Sequence, residues 1–206
     1  DFEHKDSTGG EGRMTAGDVQ WMKTGSGIIH SEMPAMKEGK LHGFQLWINM
    51  PASLKMSKPE YHYIDANEMS MHHDEDKKVK VIAGKFENAE GPIKKHNVEP
   101  IFFDVELKQN KQFSFSIPKS HNSFVYLVDG RIKIGNLSHD NIEGSKLVLL
   151  TNGNNLKVSA ETNAKFLLIA GEPIGESIAR GGPFVMNTKS EIIQAINDYN
   201  NGTFVR

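Results

Sequence analysis

Short runs of Val, Ile, Phe and Tyr recur along the chain with turn signals between them, and apolar spacing at helical period is nearly absent until the last stretch. That pattern predicts an all-β protein. Phe2-Glu3-His4-Lys5-Asp6 reads as a strand already in progress, and further strands are expected at Val19 to Lys23, Ile28 to Glu32 and Phe44 to Met50. After Pro51 the chain turns polar, so Lys55 to Lys78 reads as a connection holding at most one short strand, near Tyr61 to Ile64. A second series follows at Val79 to Ala83, Ile101 to Leu107, Gln112 to Ile117, Ser123 to Val128, Arg131 to Gly135, Lys146 to Leu150, Leu156 to Ser159 and Phe166 to Gly171. Phe113, Phe115 and Ile117 alternate with polar residues, which buries one face of that strand. Asp129-Gly130 is a two-residue hairpin signal, because both residues tolerate positive φ. Many short strands joined in this way make a barrel or a sandwich.

The tail changes period. Thr188-Lys189-Ser190-Glu191 has the form of a capping box, after which Ile192, Ile193, Ala195, Ile196 and Tyr199 recur at helical spacing. One amphipathic helix docked by that face is expected. The length, 206 residues, fits one large domain or two small ones, and the polar stretch places a boundary near residue 65.

Charge and composition narrow the function. Twenty-four basic against 26 acidic residues leave a formal net charge of -2, and no Lys/Arg run makes a local field, so a direct nucleic-acid ligand is not expected. The chain has no cysteine, which removes disulfides, thiolate metal sites and cysteine catalysis. Any metal must be held by His, Asp or Glu. The longest apolar runs, Leu147 to Leu150 and Phe166 to Ala170, are far below the ~18 residues of a membrane span, so a soluble, cytoplasmic protein is expected. The chain opens on Asp1 rather than Met, and the expectation is that its native N-terminus lies further upstream.

Among the candidate sites, His30-Ser31-Glu32 is the most informative. Residues two apart on a strand face the same side, so an imidazole and a carboxylate are presented together, half of a metal site. On spacing alone a hydrogen-bonded His/Glu pair inside a core weighs more, since two ligands do not hold a metal. His42, before Gly43 and the run carrying Trp47, reads as a hydrogen-bonded core histidine. His72-His73-Asp74-Glu75-Asp76, followed by Lys77-Lys78, reads as a solvated loop. His62, His96 and His139 have no partners at informative spacing, and Gly25-Ser26-Gly27 is a tight turn with no helix behind it to cradle phosphate.

Three blocks shift these weights. GDVQWMKTGSGIIHSEMP (Gly17 to Pro34), LHGFQLWINMP (Leu41 to Pro51) and GEPIGESIARGGPFVMNTKSEIIQAI near the C-terminus resemble the pirin family, in the family's order and across essentially the whole chain. The resemblance implies a bicupin: two tandem β-barrels with a C-terminal helix. It divides the chain into a metal-bearing N-terminal cupin barrel over 1–65, a metal-free cupin barrel over 66–175 and a tail with the helix over 176–206. It makes His30 and Glu32 the family's third and fourth ligands of one divalent ion, iron in the first instance. The other two ligands belong to a His-x-His motif that occurs nowhere in these 206 residues. His4 matches no ligand of the family and is not counted as one. In the second barrel, Leu156 to Glu172 contains no histidine, and His121 stands alone.

The resemblance also implies an activity, quercetin 2,3-dioxygenase: oxidative ring cleavage of a small aromatic substrate of flavonol type, with Glu32 as ligand and catalytic base and with Met33, Phe44 and Trp47 as apolar neighbours. The other implied role is a non-enzymatic, metal-dependent regulator that binds a transcription factor or a metabolic enzyme as protein partner. A monomer suffices for either.

Overall fold

The computed structural model describes residues 1–94, 97–135 and 141–205, and the chain divides into two compact units, 1–67 together with 174–206, and 68–173. His96 and His139 lie outside the described residues.

The first unit opens with β1 (Phe2–Asp6), β2 (Glu11–Met14), β3 (Val19–Lys23) and β4 (His30–Pro34), followed by a one-turn helix α1 (Ala52–Lys55) and β5 (Glu60–Ile64). β1 is the centre of a three-stranded antiparallel sheet, with β2 on one side and β4 on the other, while β3 pairs antiparallel with β5. The turn before β4 requires its glycines. Gly25 and Gly27 have φ of 50° and 137°, and a Cβ at Gly25 would lie 2.2 Å from the Ser57 carbonyl oxygen. The short helix is anchored by a buried lysine: Lys55 Nζ donates to Asn49 Oδ1 at 2.6 Å and to the Val185 carbonyl at 3.1 Å.

The expected strand at Phe44 to Met50 does not form; residues 35 to 51 are irregular. A β-strand persists only where another backbone completes its ladder, and no strand pairs with this segment among the described residues. Leu41, Phe44 and Trp47 are accordingly exposed, with the Arg180 guanidinium 5.3 Å above the Trp47 ring. His42, expected in a core, is exposed beside Phe44.

The second unit contains β6 (Ser70–His73), β7 (Lys77–Ala83), β8 (Lys85–Phe86), β9 (Ala89–Glu90), β10 (Ile101–Leu107), β11 (Gln112–Phe115), β12 (Asn122–Asp129), β13 (Arg131–Ile134), β14 (Ile142–Glu143), β15 (Lys146–Leu149), β16 (Leu156–Ala160) and β17 (Ala164–Gly171). Ten of them form an antiparallel six-stranded sheet, β15-β12-β17-β10-β7-β6, and a four-stranded sheet, β11-β16-β13-β14, while β8 and β9 pair with each other. Val79, Val81, Phe103, Val105, Phe166 and Leu168 of the larger sheet share one buried core with Phe113, Ile132, Leu156 and Val158 of the smaller. The Phe113 and Phe166 rings meet edge to face at 5.5 Å across it.

Two expectations need correction here. The segment between residues 55 and 78 carries a second strand, β6, hairpinned to β7; Asp74 makes the turn by accepting from the Asp76 and Lys77 amides and the Lys77 amine, so the His72–Asp76 stretch is a structured turn. Asp129-Gly130 is a tight turn but not a hairpin, because β12 and β13 belong to different sheets. Only Gly130 takes a positive φ, 86°, and it sits so close to the β16–β17 turn that a Cβ would lie 2.3 Å from the Asn163 carbonyl oxygen. A primed hairpin turn needs positive φ at the first central residue, and type I′ at both, whereas Asp129 has none.

The chain closes with β18 (Ala179–Gly181), β19 (Phe184–Met186) and α2 (Lys189–Asn200), which pack together within the first unit. The capping box forms as expected: Glu191 N–H donates to Thr188 Oγ1 at 3.3 Å, and Thr188 N–H donates to Glu191 Oε2 at 2.7 Å. The docked face is narrower than expected. Ile192 is buried against Gly181, whose missing Cβ would come 2.5 Å from Ile192 Cγ2, whereas Ile193, Ile196 and Tyr199 are 60%, 40% and 54% exposed. The two-stranded ribbon is too narrow to cover more than one row of the helix.

Candidate metal centre

Alternation along β1 turns Phe2, His4 and Asp6 to one side, and alternation along β4 does the same for His30 and Glu32. The antiparallel register sets His4 opposite Glu32 and Asp6 opposite His30. Directly opposed residues share a face, so two short strands place two imidazoles and two carboxylates on one patch. The strand ends are tied: Ser7 N–H donates to the Ile29 carbonyl at 2.8 Å, and Ile29 N–H donates to Ser7 Oγ at 3.0 Å.

The four side chains differ in environment. His4 and Asp6 are wholly buried, while the side chains of His30 and Glu32 are 31% and 35% exposed. One ring nitrogen of each histidine and a carboxylate oxygen of Glu32 lie within 4.8 Å of one another. His30 Nδ1 stands 3.8 Å from Glu32 Oε1, inside the range of an ion pair but beyond that of a hydrogen bond. The expectation of a satisfied His/Glu pair is therefore not met. The His4 ring stacks on Tyr61 at 4.7 Å and 12°, and its centroid lies 5.5 Å from that of His30.

Asp6 is the most strongly held of the group. Burial acts to raise its pKa, but hydrogen bonds from the Thr8 hydroxyl, His4 and the Thr8 and Gly10 amides outweigh it and lower the value to about 2. Its Oδ2 faces His4 Nε2 at 3.0 Å. The other His4 nitrogen, Nδ1, is buried with no hydrogen-bond partner. Burial pushes the Tyr61 phenol upward, with the help of the negative charges of Asp6 and Glu32, so it stays protonated.

His4 is thus the residue whose place beside the His30/Glu32 patch sequence reasoning did not foresee. The signal was present in its spacing, since His4-x-Asp6 on a strand presents imidazole and carboxylate together just as His30-x-Glu32 does. What the sequence withheld was the β1–β4 register, which makes the two pairs neighbours.

The other histidines do not join. His62 lies on β5, mostly exposed, 3.7 Å from Glu60. His72 Nε2 is 3.1 Å from Asp74 Oδ2 with its ring edge-on to Phe86, and His73 is exposed. His121 is buried in the second unit, with Nε2 3.1 Å from the Glu99 carbonyl oxygen and Nδ1 3.3 Å from Ser120 Oγ. Among the described residues no other group of three His, Asp or Glu converges in this way. Met33 is exposed at the end of β4, and no described helix is long and apolar enough to cross a membrane.

Comparison with known proteins agrees with the all-β, cupin-type architecture. Residues 1–48 match the family model described as Pirin, and residues 102–205 match the Pirin C-terminal cupin domain. A pirin-like protein of Caulobacter vibrioides is 39% identical over 205 residues, covering 98% of this chain and 73% of that protein. The crystal structure of quercetin 2,3-dioxygenase from Acinetobacter baumannii superposes with a TM-score of 0.88 at 33% identity, over 98% of this chain and 72% of that one. A bacterial pirin from Escherichia coli, solved in complex with nickel(II), shares the fold, with a TM-score of 0.64 and 22% identity over 84% of this chain and 68% of that one. All-β, cupin-type and similar to these relatives from one end to the other, the chain belongs to the pirin family.

Proposed function

We propose that this chain serves a metal-dependent dioxygenase of the quercetin 2,3-dioxygenase type, which opens the heterocyclic ring of a flavonol or a similar enolic aromatic. The observation that carries the reading is the convergence of His30 and Glu32 on one partly open patch, backed by a buried histidine with an unpaired nitrogen. That donor set, imidazole with carboxylate and no sulfur, suits iron or a comparable divalent ion. When bound, such an ion supplies a Lewis acid for an enolate oxygen and a redox partner for dioxygen.

His30 and Glu32 hold the ion in this reading. Glu32 is the one carboxylate of the patch with solvent access; Asp6 is buried and committed to four donors. Glu32 is therefore the group that takes the proton from an acidic enolic hydroxyl as the substrate arrives. Tyr61, kept neutral by burial, adds no charge to compete with the enolate. Net chemistry places both atoms of dioxygen in the products and expels one ring carbon as carbon monoxide.

The test is an aerobic assay on iron-loaded chain, following loss of flavonol absorbance and release of carbon monoxide. Glu32→Ala should lower turnover by ~10²-fold or more, in the range of a lost general base and ligand. Turnover untouched by that change, or absent with every flavonol tried on metal-loaded protein, sinks the proposal.

A further inference from the structure

The dipeptide Asn-Gly occurs twice in the chain, as Asn152-Gly153 and as Asn201-Gly202. In such a pair the glycine peptide nitrogen can attack the asparagine side-chain carbonyl, because a residue without a Cβ leaves the approach open and the backbone free to turn. The two pairs are chemically alike, and the fold treats them in opposite ways. We propose that Asn152 is a site of spontaneous covalent modification, deamidating through a cyclic imide to isoaspartate and aspartate, while Asn201 is protected from it. The proposal is independent of the metal reading.

The chemistry closes with water as the one co-reactant. Hydroxide takes the proton of Gly153 N–H, and the nitrogen forms a bond to Asn152 Cγ. The Cγ–Nδ2 bond breaks, and the side-chain amine takes up a proton and leaves as ammonia. Water then opens the five-membered imide at either carbonyl, with no change of oxidation state. Opening at the side-chain carbonyl gives aspartate; opening at the main-chain carbonyl gives isoaspartate, whose backbone runs through the former side chain.

Three conditions favour ring closure: a glycine N–H that is not already bonded, a side-chain amide free to swing, and a backbone free to rotate. Asn152 and Gly153 are exposed in the loop between β15 and β16. Among the described residues no hydrogen bond holds either the Asn152 side chain or the Gly153 N–H. Beyond its chain neighbours, Gly153 has only the Thr151 carbonyl oxygen near the place of a Cβ, at 3.9 Å.

Asn201-Gly202 fails the first and third conditions. It ends α2, where Asn201 N–H donates to the Asn197 carbonyl at 2.9 Å and Gly202 N–H to the Tyr199 carbonyl at 3.2 Å. Thr203 N–H donates to the Asp198 carbonyl at 2.9 Å and fixes the chain on the far side. Asn201 keeps φ near helical, at -87°, with ψ at -1°, and closing the ring requires a rotation about ψ that opens these bonds. Opening them should reduce the reactive population about tenfold or more.

Modification at Asn152 acts beside a structural bond. Asn154, two residues on, accepts from Ile117 N–H at 3.2 Å, and Ile117 and Leu156 are both buried, so the added backbone carbon falls next to the tie between this loop and the chain leaving β11.

Timed incubation of the 206-residue chain in warm, mildly alkaline buffer, followed by peptide mapping by mass spectrometry, tests the proposal. Isoaspartate is counted by methyl transfer from S-adenosylmethionine with an isoaspartyl carboxyl methyltransferase. In the folded chain Asn152 should convert at least tenfold faster than Asn201, the factor set by the bonds at the helix end. In concentrated urea the two rates should converge. Gly153→Ala should slow conversion at Asn152 several-fold and leave Asn201 as it was; position 153 has no positive φ and room for the methyl group. The comparison of the two asparagines is made within one molecule, so it decides whether or not the variant folds. Equal rates in the folded chain, an Asn152 that stays intact when folded yet converts in urea, or an excess at Asn152 that persists unchanged in urea would overturn the proposal.

Discussion

Asp6→Asn is a sharp probe of the patch because it changes one atom and reverses one hydrogen bond. The asparagine oxygen can still accept from Thr8 and Gly10, but its amide now points N–H groups toward His4 Nε2, which itself carries a proton. The imidazole must shift that proton to Nδ1, where it is buried with no acceptor. A buried unpaired donor costs ~1–3 kcal/mol, and loss of the charge-assisted bond adds to it, so about 2–3 kcal/mol of stability should disappear at neutral pH. A separate route gives a similar size. Folding lowers the Asp6 pKa from 3.8 to about 2, and a drop of that extent corresponds to about 2 kcal/mol. The sign follows from the direction of the change. A lowered carboxylate pKa contributes stability that is complete above its ordinary value and vanishes as pH falls through the folded one. Urea unfolding of both proteins from pH 6 down to pH 2 should therefore show a gap that is constant above about pH 5, narrows below pH 4 and closes near pH 2. A gap under about 0.5 kcal/mol at pH 6, or one that stays the same size down to pH 2, would refute the clasp.

Other substitutions separate the parts of the fold. Gly10→Ala places a Cβ 2.4 Å from Asp6 Oδ2 and should weaken the same clasp, giving an acid limb shallower than wild type in the same titration. Gly130→Ala meets the Asn163 backbone at a positive φ and should cost about 2 kcal/mol or more by urea unfolding, whereas Gly135→Ala, with the same φ problem but open space, should cost only about 1. Ile192→Ala should destabilise by ~2 kcal/mol, while Ile193→Ala and Ile196→Ala should stay within about 0.5, reversing the equal weights that helical spacing assigns them. His73→Ala should leave metal content by elemental analysis unchanged, since His73 is exposed and apart from the cluster.

The second unit was legible because its strands carry their own evidence. Ile101–Leu107 alternates buried and less buried residues, and Phe113 is fully enclosed, so the period-two pattern in the sequence is the pattern of the core. Phe44 to Met50 has the same composition without the result. Composition reports a preference for extended backbone, whereas a strand is a relation between two segments, and no sequence position states whether the partner is there. Asp129-Gly130 fails for a related reason. The dipeptide fixes a tight turn, but which sheet receives the chain afterwards depends on β16 and β17, more than 25 residues downstream. Helix α2 shows the limit from the other side: period marks the face that could be buried, and the width of the β18–β19 ribbon decides how much of it is.

The site divides in the same way. His30 and Glu32 sit two apart on one strand, so their shared face is a local property that alternation alone predicts. His4 reaches them through a register, His4 opposite Glu32, that links residues 28 positions apart and is set by hydrogen bonds between β1 and β4 rather than by any motif. A one-residue slip of that register would turn His4 to the opposite side and leave Nδ1 facing away from the patch. What fixes the register is itself polar: Ser7 bonds Ile29 twice at one end of the pairing, and the Asp1 carbonyl accepts from Ala35 N–H at 3.0 Å at the other. Ser7→Ala should therefore act on the patch without touching it, loosening one clamp and lowering cobalt affinity while His30 and Glu32 remain. If Ser7→Ala binds cobalt as wild type does, the remaining ladder holds the register unaided, and the clamp contributes only to the stability of the strand end.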